Sequence, residues 1–286
     1  MDVRPAIDAD LARRLVDTQF PQWAGLPLRL VDPAGSDHVI YRLGEDLAVR
    51  LPRHCGAVGQ AATELRWLPR LARRLPLAIP VPVAVGAPGF GYPWPWGVSR
   101  WLGGAVATVD ALAGSAAAAR ELAGFLLALQ RFPAAGGPGD SSRPLADRDE
   151  QTRAAIAEVA GTFEAEALIA GWEAALAAPA WSGPPVWFHG DFHTGNLLMT
   201  GGRLSAVIDF GGLGTGDPAR DLTIAYTLLS PGTRAIFRQT LAVDDATWAR
   251  GRGWALATGL NAYTSYAATN PRVAAQTTRQ ITEALR

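Results

Sequence analysis

Between residues 186 and 211 the chain leaves the helical pattern that surrounds it, and this break constrains the fold more than any other feature. Val186-Trp187-Phe188 reads as a short strand. His189-Gly190-Asp191-Phe192-His193-Thr194-Gly195 reads as a loop, and 196–199 and 204–208 read as strands joined by Thr200-Gly201-Gly202-Arg203. Two successive glycines suit a two-residue hairpin turn. Asp191 and Asn196 stand five apart on the loop, and Asp209 closes the hairpin that Asn196 opens. A tight turn returns Asp209 towards the loop, so the spacing predicts three oxygen ligands converging on one point.

The chain before this segment changes character once. Residues 8–20 carry Leu11, Leu15 and Val16 at helical spacing, and Pro21 stops the pattern. Short apolar runs at 26–31, 38–43 and 47–51, separated by turn residues, predict three antiparallel strands. A helix over 59–75 follows, then strands at 79–85 and 97–102. From Gly103 an alanine-rich helical pattern takes over. It includes 116–132, with Leu122, Phe125, Leu126 and Leu129 on one face, and a stretch from about 148 to 177, and helices resume at Pro218. The expectation is an α+β fold: a small antiparallel-sheet lobe over 1–102, and a larger, mostly helical lobe over 103–286 carrying the loop and hairpin.

Composition narrows the chemistry. Basic and acidic residues number 26 each in 286, so nothing points to nucleic acid as a partner. No lysine occurs, and any catalytic cation must therefore be Arg or His. The single cysteine, Cys55, has no intramolecular disulfide partner and fits a reducing compartment. The N-terminal residues show no apolar signal segment, and no run approaches the ~18 apolar residues that span a bilayer. These readings predict a cytoplasmic chain without membrane contact. A zinc pair made by His189 and His193 would need a helix, and Gly190 and Gly195 argue against one.

Convergent Asp and Asn side chains suit phosphoryl transfer, in which Mg²⁺ holds a triphosphate and an acceptor hydroxyl is aligned opposite the leaving oxygen. At this point the sequence resembles the aminoglycoside phosphotransferase family, kinase-like small-molecule kinases that include macrolide phosphotransferases. His189-Gly190-Asp191 and Asn196 match its His-Gly-Asp-x-x-x-x-Asn loop and Asp209 its later Asp. Gly216-Asp217-Pro218-Ala219-Arg220-Asp221-Leu222 matches a third element, which in the family packs under the loop. The resemblance runs from about residue 36 to 252 and implies the bilobal protein-kinase-like fold.

By that resemblance Asp191 is the catalytic residue facing the acceptor, and Asn196 and Asp209 are the Mg²⁺ ligands. The usual Lys of the third strand is replaced by Arg50 in Leu47-Ala48-Val49-Arg50, with Glu64 on the next helix as its partner. Arginine can fork to carboxylate and phosphate alike, and macrolide-phosphorylating relatives resemble this chain in that substitution. Ser36, in Ala34-Gly35-Ser36-Asp37-His38, is expected to offer backbone N–H groups to the phosphates, and the connector from Ser99 through Arg100 and Leu102 to meet the nucleotide base. A plain strand end would look the same. Asp217 is expected to cap the helix that starts at Pro218. His193 either braces the loop or approaches substrate.

The implied function is transfer of the γ-phosphoryl group of ATP or GTP to a hydroxyl of a small molecule, with an aminoglycoside-type antibiotic ahead of a macrolide and a metabolic sugar or amino-alcohol kinase as a further alternative. A protein kinase is disfavoured, because His-Gly and not His-Arg precedes Asp191 and no Ala-Pro-Glu segment follows Asp209. Charge on the acceptor side is mixed. Residues 140–173 hold eight acids against three arginines, whereas 230–286 hold seven arginines against three acids and interleave Trp248, Trp254, Tyr263 and Tyr266.

Overall fold

A computed structural model of the chain describes residues 5–32, 37–138 and 144–286. The fold divides into two compact units. The first runs to Gly104 and takes in Ala206–Gly211, and the second comprises Ala105–Ser205 and Gly212–Arg286.

The first unit opens with helix α1 (Ala9–Gln19), whose N-cap Asp8 accepts the Leu11 N–H at 2.8 Å. Strands β1 (Leu28–Leu30), β2 (His38–Leu43) and β3 (Leu47–Pro52), helix α2 (Gln60–Leu71), and strands β4 (Pro82–Gly86) and β5 (Trp96–Arg100) follow. The strands form one antiparallel sheet in the order β1-β2-β3-β5-β4. Its core gathers Leu11, Leu15 and Val16 of α1 against Leu43, Leu51, Trp96 and Val98. Gly86 is there because a Cβ would lie 2.1 Å from the Trp96 ring. The Val207 N–H bonds to Ala78 O at 2.9 Å, which ties the segment carrying Asp209 into this unit.

The second unit holds β6 (Ala105–Val106), α3 (Val109–Leu112), α4 (Ala116–Gln130), α5 (Asp149–Glu158) and α6 (Ala165–Ala177). Strands β7 (Val186–Phe188), β8 (Leu197–Thr200), β9 (Arg203–Val207) and β10 (Gly214–Gly216) come next, then α7 (Ile224–Thr227), α8 (Pro231–Leu241), α9 (Asp245–Tyr266) and α10 (Pro271–Leu285). The predicted face of α4 is fully buried at Leu122, Phe125, Leu126 and Leu129. The β8–β9 turn carries positive φ at Gly201 and Gly202, 60° and 76°, as a primed hairpin turn requires.

The helices expected from about 148 to 177 are two, parted at the turn 159–164 where Gly161 takes φ 88°, and two other readings shift. Asn196, expected to begin a strand, ends a one-turn 3₁₀ helix over Thr194–Asn196, and the strand starts one residue later. Asp217 does cap, its side chain accepting the Ala219 N–H, but what it caps is the 3₁₀ helix Pro218–Thr223. No helix among the described residues is long and apolar enough to cross a membrane.

Candidate active site

In the first unit the antiparallel sheet delivers Arg50 from β3 towards α2. Its Nη1 donates to both carboxylate oxygens of Glu64 at 2.6 Å, and its Nη2 stands 3.4 Å from Asp209 Oδ1. Arg50 and Glu64 are 11% and 6% exposed at their side chains, so the pair is shielded from water. Burial acts to lower the Arg50 pKa, but the carboxylates of Glu64 and Asp209 outweigh it and raise the pKa above the ordinary arginine value. Asp209 is different: its side chain is 46% exposed and its backbone takes φ 63°, a left-handed conformation costly for a non-glycine residue.

His38 on β2 lines the same small cavity as Arg50, Glu64 and Ser99. Burial first, and Arg50 second, push its imidazole down to about 3, so it stays neutral beside the guanidinium. Sequence reading did not single it out; its only signal is the cross-strand register that pairs His38 with Pro52 and Ile40 with Arg50. At the connector, the Arg100 N–H is spent on Val81 O and the Trp101 N–H on Asp46 O. Leu102 is left with no backbone bond from its N–H among the described residues, and the Arg100 side chain is exposed. Ser36 lies outside the described residues, as do Asp140 and Arg143.

The second unit builds the polar loop at the end of β7, which pairs antiparallel with β10. Gly190 takes φ 86°, and a Cβ there would lie 2.0 Å from Gly212 O, so no other residue fits. Asp221, 1% exposed, receives the N–H groups of His189 and Gly190 at 2.6 and 2.8 Å. The stacked rings of Phe125 and Phe192, 5.6 Å apart, fix the loop against α4.

These anchors leave the Asp191 side chain 57% exposed yet held. Asn196 Nδ2 donates to Asp191 O at 2.9 Å and to Asp191 Oδ2 at 3.0 Å. His193 Nδ1 accepts the Gly195 N–H at 3.0 Å, and its Nε2 faces Asp191 Oδ2 at 3.4 Å. Gln276 of α10 lies 3.0 Å from the same Nδ1 and clamps the ring. Desolvation works against the Asp191 charge, but His193, His189 and Asn196 together outweigh it and hold the carboxyl at about 2. His193 thus lies against Asp191 within the loop.

Within the second unit Asn196 spends its amide nitrogen on Asp191, which leaves its Oδ1 as the remaining oxygen, and within the first unit Asp209 offers an accessible carboxylate; both are hard oxygen donors of the kind Mg²⁺ takes. Among the described residues no group of three or more His, Cys, Asp and Glu side chains is gathered for a metal.

Removing Arg50 is expected to reveal its partnership. In a double-mutant cycle read by urea unfolding, Arg50→Ala and Glu64→Ala should couple by about 1–3 kcal/mol. Strict additivity would show that the pair does not act as one.

Residues 30–254 match the phosphotransferase enzyme family, APH. Among solved structures, the GDP and kanamycin complex of an APH(2″) enzyme is similar over 96% of this chain and 98% of its own, with a TM-score of 0.75 at 18% identity. The GDP complex of wild-type aminoglycoside 2′-phosphotransferase-IIIa gives 0.74 at 18% identity, over 98% and 99% of the two chains. Macrolide 2′-phosphotransferase MphH from Brachybacterium faecium gives 0.64 at 24% identity, over 96% and 97%. At these identities the likeness establishes the kinase-like fold. No curated protein sequence matches the chain.

Proposed function

This chain belongs to the phosphotransferase enzyme family and is a small-molecule phosphotransferase, and on that footing we propose that it moves the γ-phosphoryl group of ATP or GTP onto a hydroxyl of an aminoglycoside-type antibiotic. The observation that carries the reading is the Asp191 carboxylate, exposed to solvent yet fixed by Asn196 and His193. A group so held can orient an acceptor hydroxyl without paying to order itself. In this proposal Asn196 and Asp209 hold Mg²⁺, which neutralises charge on the triphosphate. Arg50, positioned by Glu64, meets the phosphates, and Leu102 and its neighbour Arg100 meet the base.

The acceptor preference rests on electrostatics. Asp147, Glu150, Glu158, Glu164, Glu166 and Glu173 are all exposed on the α5–α6 side. Three of the seven arginines of 230–286 are committed elsewhere: Arg250 to Asp217, Arg234 to Glu283, and Arg279 to the carbonyls of Thr227, Leu228 and Leu229. Their charge therefore weighs less against a cationic substrate than the sequence balance implied. A macrolide-type acceptor is the second reading, favoured by the neutral end of α9, where Tyr263 meets Phe163 edge-on and Tyr266 is 47% exposed.

The test is phosphoryl transfer by purified protein from ATP and GTP, with and without Mg²⁺, to kanamycin-type compounds, macrolides, and amino-alcohol or sugar metabolites. Mg²⁺-dependent transfer to aminoglycosides, slowed steeply by salt, is expected. Salt-insensitive transfer to a macrolide alone would overturn the acceptor assignment and promote the second reading.

A further inference from the structure

Away from the Asp191 loop, the second unit contains an open cleft of about 800 Å³ between α6, α8, the first half of α9 and the end of α10. Its volume lies in the range of small-molecule sites. The opening arises from sequence: Ala167, Ala170, Gly171 and Ala174 occupy i, i+3, i+4 and i+7, so one face of α6 carries nothing larger than a methyl group. Across from that face stand Arg234, Arg238, Arg252 and Arg286, with Trp248 between them.

Arginines often line a surface without binding anything, so their hydrogen bonds decide the matter. Arg234 is consumed by Glu283 Oε2, at 2.5 Å, and by the Ala225 carbonyl at 3.0 Å. The others are not. Arg252 donates its Nε to Ala284 O, and neither Nη bonds anything among the described residues. Arg238 reaches Asp245 through one Nη and lies over the Trp248 ring, 5.2 Å from its centroid, and Arg286 reaches Glu283 through one Nη only. Four guanidinium groups thus answer to two carboxylates, Asp245 and Glu283.

A second observation points the same way. Tyr226 lines the cleft, is 2% exposed, and its hydroxyl has no hydrogen-bond partner. An orphaned buried hydroxyl is costly and asks for an acceptor. Burial, partly opposed by Arg234, pushes this phenol up to about 12, so it remains a neutral O–H donor. We propose that this cleft is a binding site for an organic phosphate, its oxyanion held by Arg238, Arg252 and the Tyr226 hydroxyl and its organic group lying along the methyl-sized face of α6. Guanidinium forks match phosphate geometry, and the small side chains of α6 leave an apolar face open.

The cleft is distinct from the loop that carries Asp191. On α10, Leu285 borders the cleft whereas Gln276 clamps His193, nine residues earlier, or about 13 Å along a helix. Binding here is therefore independent of the transfer reaction and of its acceptor.

The probe is phenyl phosphate, titrated calorimetrically into the full chain, with inorganic phosphate, benzoate and phenol as comparisons. Phenyl phosphate should bind more tightly than the other three. The Arg238→Gln/Arg252→Gln double variant should weaken it at least ~10-fold and Tyr226→Phe by ~3–10-fold, the latter removing one oxygen and keeping the ring packing. Arg50→Ala and Asp191→Asn should leave binding unchanged, which separates this cleft from the transfer site. Equal binding by the cleft variants, tighter binding of benzoate, loss of binding in Arg50→Ala, or no binding at millimolar phenyl phosphate would each overturn the proposal.

Discussion

Asp191→Asn is expected to lower kcat by about 10³-fold while leaving nucleotide affinity within about a factor of two, because the proposed contact of Asp191 is with the acceptor and not with the phosphates. The usual description of such a carboxylate as a base meets a quantitative objection here. With its carboxyl held at about 2, Asp191 lies roughly 14 units below a hydroxyl near 15.7, and complete deprotonation before transfer would cost roughly 19 kcal/mol. That exceeds the whole barrier, about 16 kcal/mol, of a reaction running near 10 s⁻¹. In the proposed reaction the carboxylate instead orients the hydroxyl and takes its proton late, as a loose transition state allows. Asparagine retains the size of the side chain but has no charge and accepts no proton. Steady-state kinetics with a separate nucleotide titration tests the split: wild-type turnover would remove Asp191 from the chemistry, and an equal fall in nucleotide affinity would place it on the phosphates.

How much of this was legible in the sequence follows from how far each interaction reaches. The loop is local. Asp191 and Asn196 are five positions apart, and Gly190 tolerates no side chain, so motif and geometry are nearly the same statement. Arg50 and Glu64 are fourteen apart, yet one strand and the helix after it are enough to pair them. What stayed hidden depends on packing between distant elements. Gln276 reaches His193 across 83 positions, and nothing at residue 276 announces it. The charge balance of residues 230–286 hides its partnerships for the same reason: counting arginines does not reveal that Arg250 sits on Asp217 or Arg279 on the carbonyls ending α7. Tyr226 looks like any core aromatic until its hydroxyl is found without a partner.

Asp221 shows the same long reach in the element expected to pack beneath the loop, and its removal should have the largest effect on stability. It follows Asp191 by thirty positions, its side chain is fully buried, and it accepts two backbone N–H groups from the residues immediately before Asp191. Burial pushes its carboxyl above the usual range, which marks how little water reaches it. Asp221→Ala leaves the N–H groups of His189 and Gly190 without this acceptor, at about 1–3 kcal/mol each, or roughly 2–6 kcal/mol together. For a chain of this length that corresponds to a fall in Tm on the order of 10 °C. Asp221→Asn keeps one acceptor oxygen but turns an amide NH₂ towards the second N–H, so it should recover less than half of the loss. Calorimetric unfolding of the two variants checks the ordering. A Tm for Asp221→Ala within about 2 °C of wild type would mean that other acceptors take over both N–H groups, and that the loop does not depend on this carboxylate.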